Sequence, residues 1–600
     1  MRLHSGRIRT AMNRIPAVTL LVVTLVSIAS SHVVNTTCGL VRGVPISVRD
    51  KTVFGFLGIP YAKPPIDELR FRKPLPALPW DDVLDATTMP YSCMQPENVF
   101  LSAGFEDESR HSEDCLYLNV WTPRTDSPSR PVMVWLHGGA FIMGSASHSY
   151  NNGSVIAALG DVVVVAMNYR LGAFGFLTAD TEDAPGNMAL HDQLLALRWV
   201  RHNIRNFGGD PDQVTLFGVS AGAISANMHL LSPLSRGLFK RAILQSGSLY
   251  SATFMSTMEE AIRVSNDFAS TLGCASSIDE DMLSHPAIVV NCLRSKSADE
   301  ILRAHIAFSR GKIISMRPVH GDEFMPKSHL LQIERGQIQG GEVLIGTNAD
   351  EGSLFLFLGF PHLYPLKTTQ SVSREDTEKV ARILLHALHS PVPDDVFDVY
   401  LDAQEKAAAL SEDDLLRRRL IDIVGDLFFV CPSVHFAHTY TRHGNRVFYY
   451  SFEHRTKSSI WGHWMGVPHS DEVQYVFGMP VRLPEHYTDQ EARFAERIVD
   501  MWVSFAKTGN PSTQDVRWDE FQKNNGTYLS LRPQRYTTGS QLRRDRCQYW
   551  KRHLKYPPLD SAGARALENY PGKVMWLVDN VVSTISKFWT RVKSYSKKFL

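Results

Sequence analysis

Hydrophobic and polar positions divide the chain into short strand-like runs and longer helix-like ones. Across residues 39–71 apolar side chains recur in a near-alternating pattern: Val41, Val44, Ile46 and Val48, then Val53, Phe54, Phe56 and Leu57. That pattern predicts an antiparallel meander entering a sheet, ended by Pro60, Pro64 and Pro65. Residues 81–115 are loop-like, rich in Gly, Ser, Asn and charge. Residues 131–136 and 162–168 are continuous apolar runs, the mark of strands buried on both faces. Residues 214–217 and 342–346 read the same way, and residues 241–245 and 447–452 read as further strands. Residues 187–205 form a helix, the segment between Cys274 and Cys292 reads as a helical insertion, and the charged, helix-periodic residues 374–426 read as a peripheral one. Residues 488–507 form the clearest helix. Thr488 and Glu491 make a capping box, Phe494, Ile498, Met501, Trp502 and Phe505 make the apolar stripe, and Gly509 stops it. Buried strands alternating with helices predict an α/β protein with a large mixed central sheet flanked by helices.

The two ends do not fit this pattern. Arg2, Arg7, Arg9 and Arg14 precede an apolar run over residues 15–28, and Ala29, Ser30 and Ser31 follow it. This is the layout of a secretory signal over residues 1–31, with a retained signal anchor as its rival. Sequons at Asn35, Asn152 and Asn525 fit secretion, as does a potential for disulfides among seven cysteines, an odd number that leaves one thiol over. Past Tyr556, Pro557 and Pro558 the composition shifts. Val574, Val578, Val581, Ile585, Phe588, Val592, Tyr595 and Phe599 follow one another by alternating fours and threes, a heptad seam made basic by Lys587, Arg591, Lys593, Lys597 and Lys598. Three readings stand for residues 573–600: a self-association helix giving a homo-oligomer, a membrane-surface helix, or a solvated extension. A net charge of +1 over 600 residues gives no nucleic-acid footprint.

Candidate chemistry concentrates after the buried strands. Residues 218–222 read Gly-Val-Ser-Ala-Gly between a strand and a helix. In that setting Ser220 sits on a sharp turn that exposes its hydroxyl, and the glycines flank it because a Cβ would strike the neighbouring backbone. The plain alternative is a surface turn with a capping serine. His137, Gly138, Gly139, Ala140 and Phe141 follow an earlier strand, and their N–H groups could line an oxyanion site or merely form a turn. Asp350 and Glu351 lie at the C-terminal end of another strand, where catalytic groups of open α/β sheets gather, and either is a candidate acid. His463 and His469 lie in a later loop. The order serine, acid, histidine is that of α/β-hydrolases. Cys93 and Cys115 bracket the second half of a loop that a bridge would close.

These residues resemble the type-B carboxylesterases, and within them the cholinesterase branch, over about residues 39–553. The stretches that carry the resemblance are Phe56 to Ala62 (FLGIPYA), Ser112 to Asn119 (SEDCLYLN), the His137–Gly139 turn, Asn168-Tyr169-Arg170, Asp192-Gln193 and Phe207 to Pro211 (FGGDP). The resemblance implies an α/β-hydrolase fold over residues 32–555, followed by a linker and basic helix over 556–600. It implies ester hydrolysis by Ser220, Glu351 and His469, with the N–H groups of Gly139, Ala140 and Ala221 as oxyanion donors and no cofactor or metal. The substrate would be a small-molecule ester and the site of action extracellular. It also implies the pairs Cys93–Cys115, Cys274–Cys292 and Cys431–Cys547, with Cys38 left over.

Several positions depart from that family's pattern. Val219 stands where a glutamate is usual before the serine. Phe105 stands where a tryptophan holds the substrate cation in cholinesterases, and a phenyl ring is the weaker cation partner. Leu354 replaces an aromatic residue, while Phe355 keeps one. Phe105, Val219 and Phe355 are therefore the candidate substrate-binding positions, and the choline-recognition apparatus is partly dismantled. The competing expectation is a cholinesterase-like binding or scavenger protein with slow or no turnover.

Overall fold

The computed structural model describes residues 32–96, 110–126, 129–250, 254–275, 281–309, 314–367, 370–387, 393, 395–401 and 411–553. Residues 1–31, read above as a secretory signal, residues 573–600 with their heptad pattern, and Phe105 lie outside the described residues. Thirteen strands form one sheet: β1 (His32–Asn35), β2 (Leu40–Val48), β3 (Lys51–Pro60), β4 (Leu84–Asp85), β5 (Tyr117–Thr122), β6 (Arg130–Leu136), β7 (Val163–Met167), β8 (Gly209–Val219), β9 (Arg241–Gln245), β10 (Glu342–Asn348), β11 (Arg446–Phe452), β12 (Thr527–Arg532) and β13 (Arg535–Ser540). Their order is β1-β2-β3-β5-β7-β6-β8-β9-β10-β11-β12-β13, with β4 beside β2. Neighbours from β7 to β12 run parallel. The strands on either side of that run pair antiparallel, except that β4 runs parallel to β2. This mixed sheet with helices on its faces is the expected α/β-hydrolase architecture.

The continuous apolar runs are continuous because both faces of the central strands are covered. On β6, Val132, Val134 and Leu136 enter one buried layer, while Met133 and Trp135 enter the other. On β8, Val214 and Leu216 face the first layer, Phe217 and Val219 the second. The period of two holds on β7, β9 and β10 as well. Helices Met188–Asn203 and Ala221–Leu231 cover the first face, and helix Asp489–Thr508 covers the second with the stripe read from sequence. Its capping box is formed, and Gly509 closes it at φ 76°.

One expectation needs correction. Residues 374–426, read as one peripheral helical insertion, hold the separate helices Arg374–Ala387 and Val396–Leu401, but their last part is the start of a longer, buried helix. Helix Glu412–Gly425 passes through a π-helical turn, Asp426–Val430, into helix Cys431–Arg442. Residues 419–437 are all buried. The charges inside are paired: Asp422 accepts from Arg543 at 2.9 Å and Arg546 at 2.8 Å, and Asp426 accepts from Tyr400 Oη at 2.9 Å. Both arginines belong to the last described helix, Arg544–His553, or the residue before it.

Candidate active site

Strand β8 ends at Val219 and helix Ala221–Leu231 begins two residues on. Ser220 bridges them at φ 56°, ψ −123°, a conformation costly for any residue with a Cβ. Two backbone bonds hold it there: its N–H donates to the Gln245 carbonyl at 2.8 Å, and its carbonyl accepts from Ile224 at 2.9 Å. The turn presses on the end of β6. A Cβ on Gly218 would lie 2.6 Å from the Leu136 carbonyl oxygen, and one on Gly222 would lie 2.0 Å from the same atom. The glycines are there because the serine must be lifted over that carbonyl.

The strand β6 runs into the second turn. Gly139 (φ 113°), Ala140 (φ 54°) and Phe141 (φ 63°) are three successive left-handed residues. A Cβ on Gly139 would sit 2.1 Å from the Met143 carbonyl oxygen, so position 139 is closed to other residues. This winding leaves the N–H groups of Gly139, Ala140 and, across the elbow, Ala221 without hydrogen-bond acceptors among the described residues. The turn is braced from below. The His137 ring stacks on Tyr169 at 4.2 Å between centroids, and Tyr169 Oη donates to the His137 carbonyl at 2.6 Å. Burial pushes the His137 imidazole down to about 3, so it is neutral.

At the end of β10 two adjacent acids take different directions. Glu351 is buried, and its Oε2 accepts the Nδ1–H of His469 at 2.5 Å. Its Oε1 accepts from Ser246 Oγ at 2.5 Å and the Asn348 N–H at 2.8 Å. These bonds fix a carboxylate that fixes an imidazole. Asp350 turns away. Its Oδ2 accepts the Val467 N–H at 2.8 Å, and it pairs with Arg418. Burial holds its carboxyl above the usual range. His469 Nε2 is buried and carries no hydrogen bond among the described residues, Ser220 Oγ included. His463 is exposed and opens the short turn His463–Met465.

Ser220, Ala140, Phe141 and Ala221 line one pocket together with Ile224, Phe254, Ile314, Phe355, Phe428 and Phe429. Phe355 is thus in the pocket. Val219 belongs instead to the buried layer with Phe217, Trp135 and Val467, and is not among the lining residues. Phe428 and Phe429 have no counterpart in the sequence reading. Both lie on the π-helical turn Asp426–Val430, which leaves no mark in the pattern. Glu472 was also unmarked. It accepts from Gln245 Nε2 at 3.0 Å and Asn348 Nδ2 at 2.7 Å, and the same Asn348 amide donates to the Pro468 carbonyl at 2.8 Å beside His469. Burial, and then the nearby Glu351 charge, raises the Glu472 carboxyl.

The cysteines pair as Cys93–Cys115, Cys274–Cys292 and Cys431–Cys547, and Cys38 is free and half-buried. Asn35 and Asn525 are exposed; Asn152 is half-buried, its Oδ1 accepting the Ser154 N–H at 2.9 Å. Among the described residues no group of three or more His, Cys, Asp or Glu side chains is placed to hold a metal ion.

Comparison with known proteins puts this geometry in context. The model of the carboxylesterase family matches residues 30–550. The chain is 36% identical over 548 residues to a protein named acetylcholinesterase from Leptinotarsa decemlineata, covering 87% of this chain and 86% of that protein. It is 37% identical over 533 residues to acetylcholinesterase from Bungarus fasciatus (87% and 86%). It is 37% identical over 534 residues to a cholinesterase from Mus musculus (86% of each).

Proposed function

This chain belongs to the carboxylesterase family, and from that premise we propose that it is a secreted carboxylic ester hydrolase acting on small-molecule esters through an acyl-enzyme. Ser220 Oγ attacks the ester carbonyl while His469 Nε2 takes its proton. The imidazolium then returns that proton to the leaving alcohol. Glu351 holds the Nδ1–H tautomer and stabilises the imidazolium. The open N–H groups of Gly139, Ala140 and Ala221 receive the charge on the tetrahedral oxygen, each worth ~3 kcal/mol at the transition state. Water, activated by the same histidine, releases the acid. The missing Ser220–His469 hydrogen bond fits a site that tightens on binding substrate.

The observation that carries this reading is the buried Glu351–His469 pair, 2.5 Å apart, in one site with a strained serine and three open N–H groups. The disulfides support an oxidising compartment. The test has two arms. A fluorophosphonate should add one mass to the peptide bearing Ser220, and Ser220→Ala should abolish hydrolysis of 4-nitrophenyl butyrate. Labelling with one burst of product and no steady state would instead mark a scavenger. No labelling would remove the nucleophile from the reading.

A further inference from the structure

The pocket beside Ser220 is walled by Ile224, Phe254, Ile314, Phe355, Phe428 and Phe429, and its described lining holds no Asp, Glu, Lys or Arg. Two of those six come from consecutive positions of one helix. In an α-helix neighbours diverge by a wide angle, so only one of a consecutive pair usually faces a given wall. The turn Asp426–Val430 is π-helical, with the Cys431 N–H reaching back to the Asp426 carbonyl. A π-turn winds less per residue, which brings consecutive side chains nearer the same direction. Phe428 and Phe429 both reach the pocket in this way.

The turn is held from behind. Asp426 accepts from Tyr400 Oη at 2.9 Å and faces Arg543 and Arg546 at 3.7 Å, while Cys431 is bridged to Cys547. In front, the Phe429 ring centroid lies 4.3 Å from that of His469 and 5.3 Å from that of Phe355, which is itself 5.5 Å from His469. The phenyl wall therefore begins at the imidazole and continues along the pocket. Ring faces attract a cation, but with no carboxylate among the described lining residues that attraction has no charged partner there to set against the loss of the ion's water. A hydrocarbon group of the same shape enters at no such cost.

Resting on the esterase reading above, we infer that the π-helical turn Asp426–Val430 is the specificity element of this site, and that through Phe428 and Phe429 it selects esters with uncharged organic groups over esters carrying a cation. Acetylthiocholine and 3,3-dimethylbutyl thioacetate test this, because they share a shape and differ by one charge. kcat/KM for each is measured on the full chain, with active sites counted by phosphonate titration. The neutral ester should be preferred by about tenfold or more. Truncation by Phe428→Ala or Phe429→Ala lets water into the wall and should lower that preference at least about threefold. Phe428→Leu, which keeps the wall apolar, should leave the preference within about threefold of the parent. A cation preferred, or the two esters turned over alike, overturns the inference from the unmodified protein alone. So does a neutral preference that titratable truncated variants retain in full. Turnover of neither ester above a Ser220→Ala blank overturns the inference if 4-nitrophenyl butyrate is still hydrolysed, and the esterase reading itself if it is not.

Discussion

Glu351 and His469 meet at 2.5 Å across 118 residues of chain, and the acid next to Glu351 in sequence does not take part. Replacing Glu351 by Gln keeps the shape and removes the charge that fixes the Nδ1–H tautomer. The expected result is a fall in kcat of about 10³-fold or more with little change in KM, by analogy with loss of the orienting acid in serine hydrolases generally. Asp350→Asn, which removes the partner of Arg418 but leaves His469 oriented, should lower kcat by less than about tenfold. Steady-state kinetics normalised to titrated active sites separates the two.

Gly466 carries the loop that delivers His469, at φ 62°, and a Cβ there would lie 2.0 Å from Asp350 Oδ2. Gly466→Ala therefore meets two costs, a left-handed backbone for a residue with a side chain and a clash with a carboxylate already bonded to Val467. Together they should destabilise the protein by roughly 2–4 kcal/mol. Because the loop must move to relieve the clash, kcat should fall as well. Chemical denaturation and kinetics on the same preparation check both parts. A variant that keeps parental stability would show that the loop gives way freely.

The elbow and the sheet were legible in the sequence because each rests on a local rule. Four valines in a row at residues 162–165 need cover on both faces, and Gly218 and Gly222 need a backbone too close for a Cβ. The choice between Asp350 and Glu351 was not legible from spacing. Two adjacent acids at a strand end point to opposite sides, and Arg418, which decides the matter, is far away in sequence. Family resemblance pointed to Glu351, whose carboxylate is the one facing His469. The π-turn was hidden for a deeper reason. Its extra residue has no periodic signature and is held by Arg543, Arg546 and Cys547, more than a hundred residues later. Strands β12 and β13 were missed because the outer one is a polar edge, and because Pro533 and Gln534, with Gln534 at φ 61°, are not the Asn-Gly pair that announces a tight hairpin.

Asp471, two residues past His469, makes stability fall with pH. Its Oδ1 accepts from Gln474 at 3.0 Å, while its buried Oδ2 has no partner among the described residues. Burial, and next the Glu472 charge, pushes its carboxyl up from 3.8 to about 7. The folded state thus binds the proton more tightly than the unfolded chain. The resulting stability is fully present below pH 4 and is lost as pH rises through 7. At about 1.4 kcal/mol per pH unit the loss is bounded at about 4 kcal/mol. Asp471→Asn mimics the protonated form, so it should gain on the parent between pH 5 and pH 8. Denaturation midpoints at the two pH values measure this, and parallel shifts in both proteins would exclude Asp471 as the source.

The three disulfides should contribute unequally, and the order follows from the loops they close. Cys431–Cys547 spans 116 residues, Cys93–Cys115 spans 22 and Cys274–Cys292 spans 18. Restricting the unfolded chain is worth ~3 kcal/mol for the short loops and ~4.7 kcal/mol for one of about a hundred residues. The long bridge also joins the C-terminal end of the π-turn to the segment whose Arg543 and Arg546 pair with Asp422 and face Asp426. Removing it loosens those ion pairs, and a buried carboxylate that loses its partner costs a further ~3–5 kcal/mol. Replacing Cys431 and Cys547 together by Ala should therefore lower the unfolding free energy more than the same change at either short bridge. It should also alter selectivity through Phe428 and Phe429, while the Cys274–Cys292 double replacement leaves selectivity unchanged. Equal losses of stability at all three bridges would show that loop length and the ion network behind the π-turn do not set the contribution.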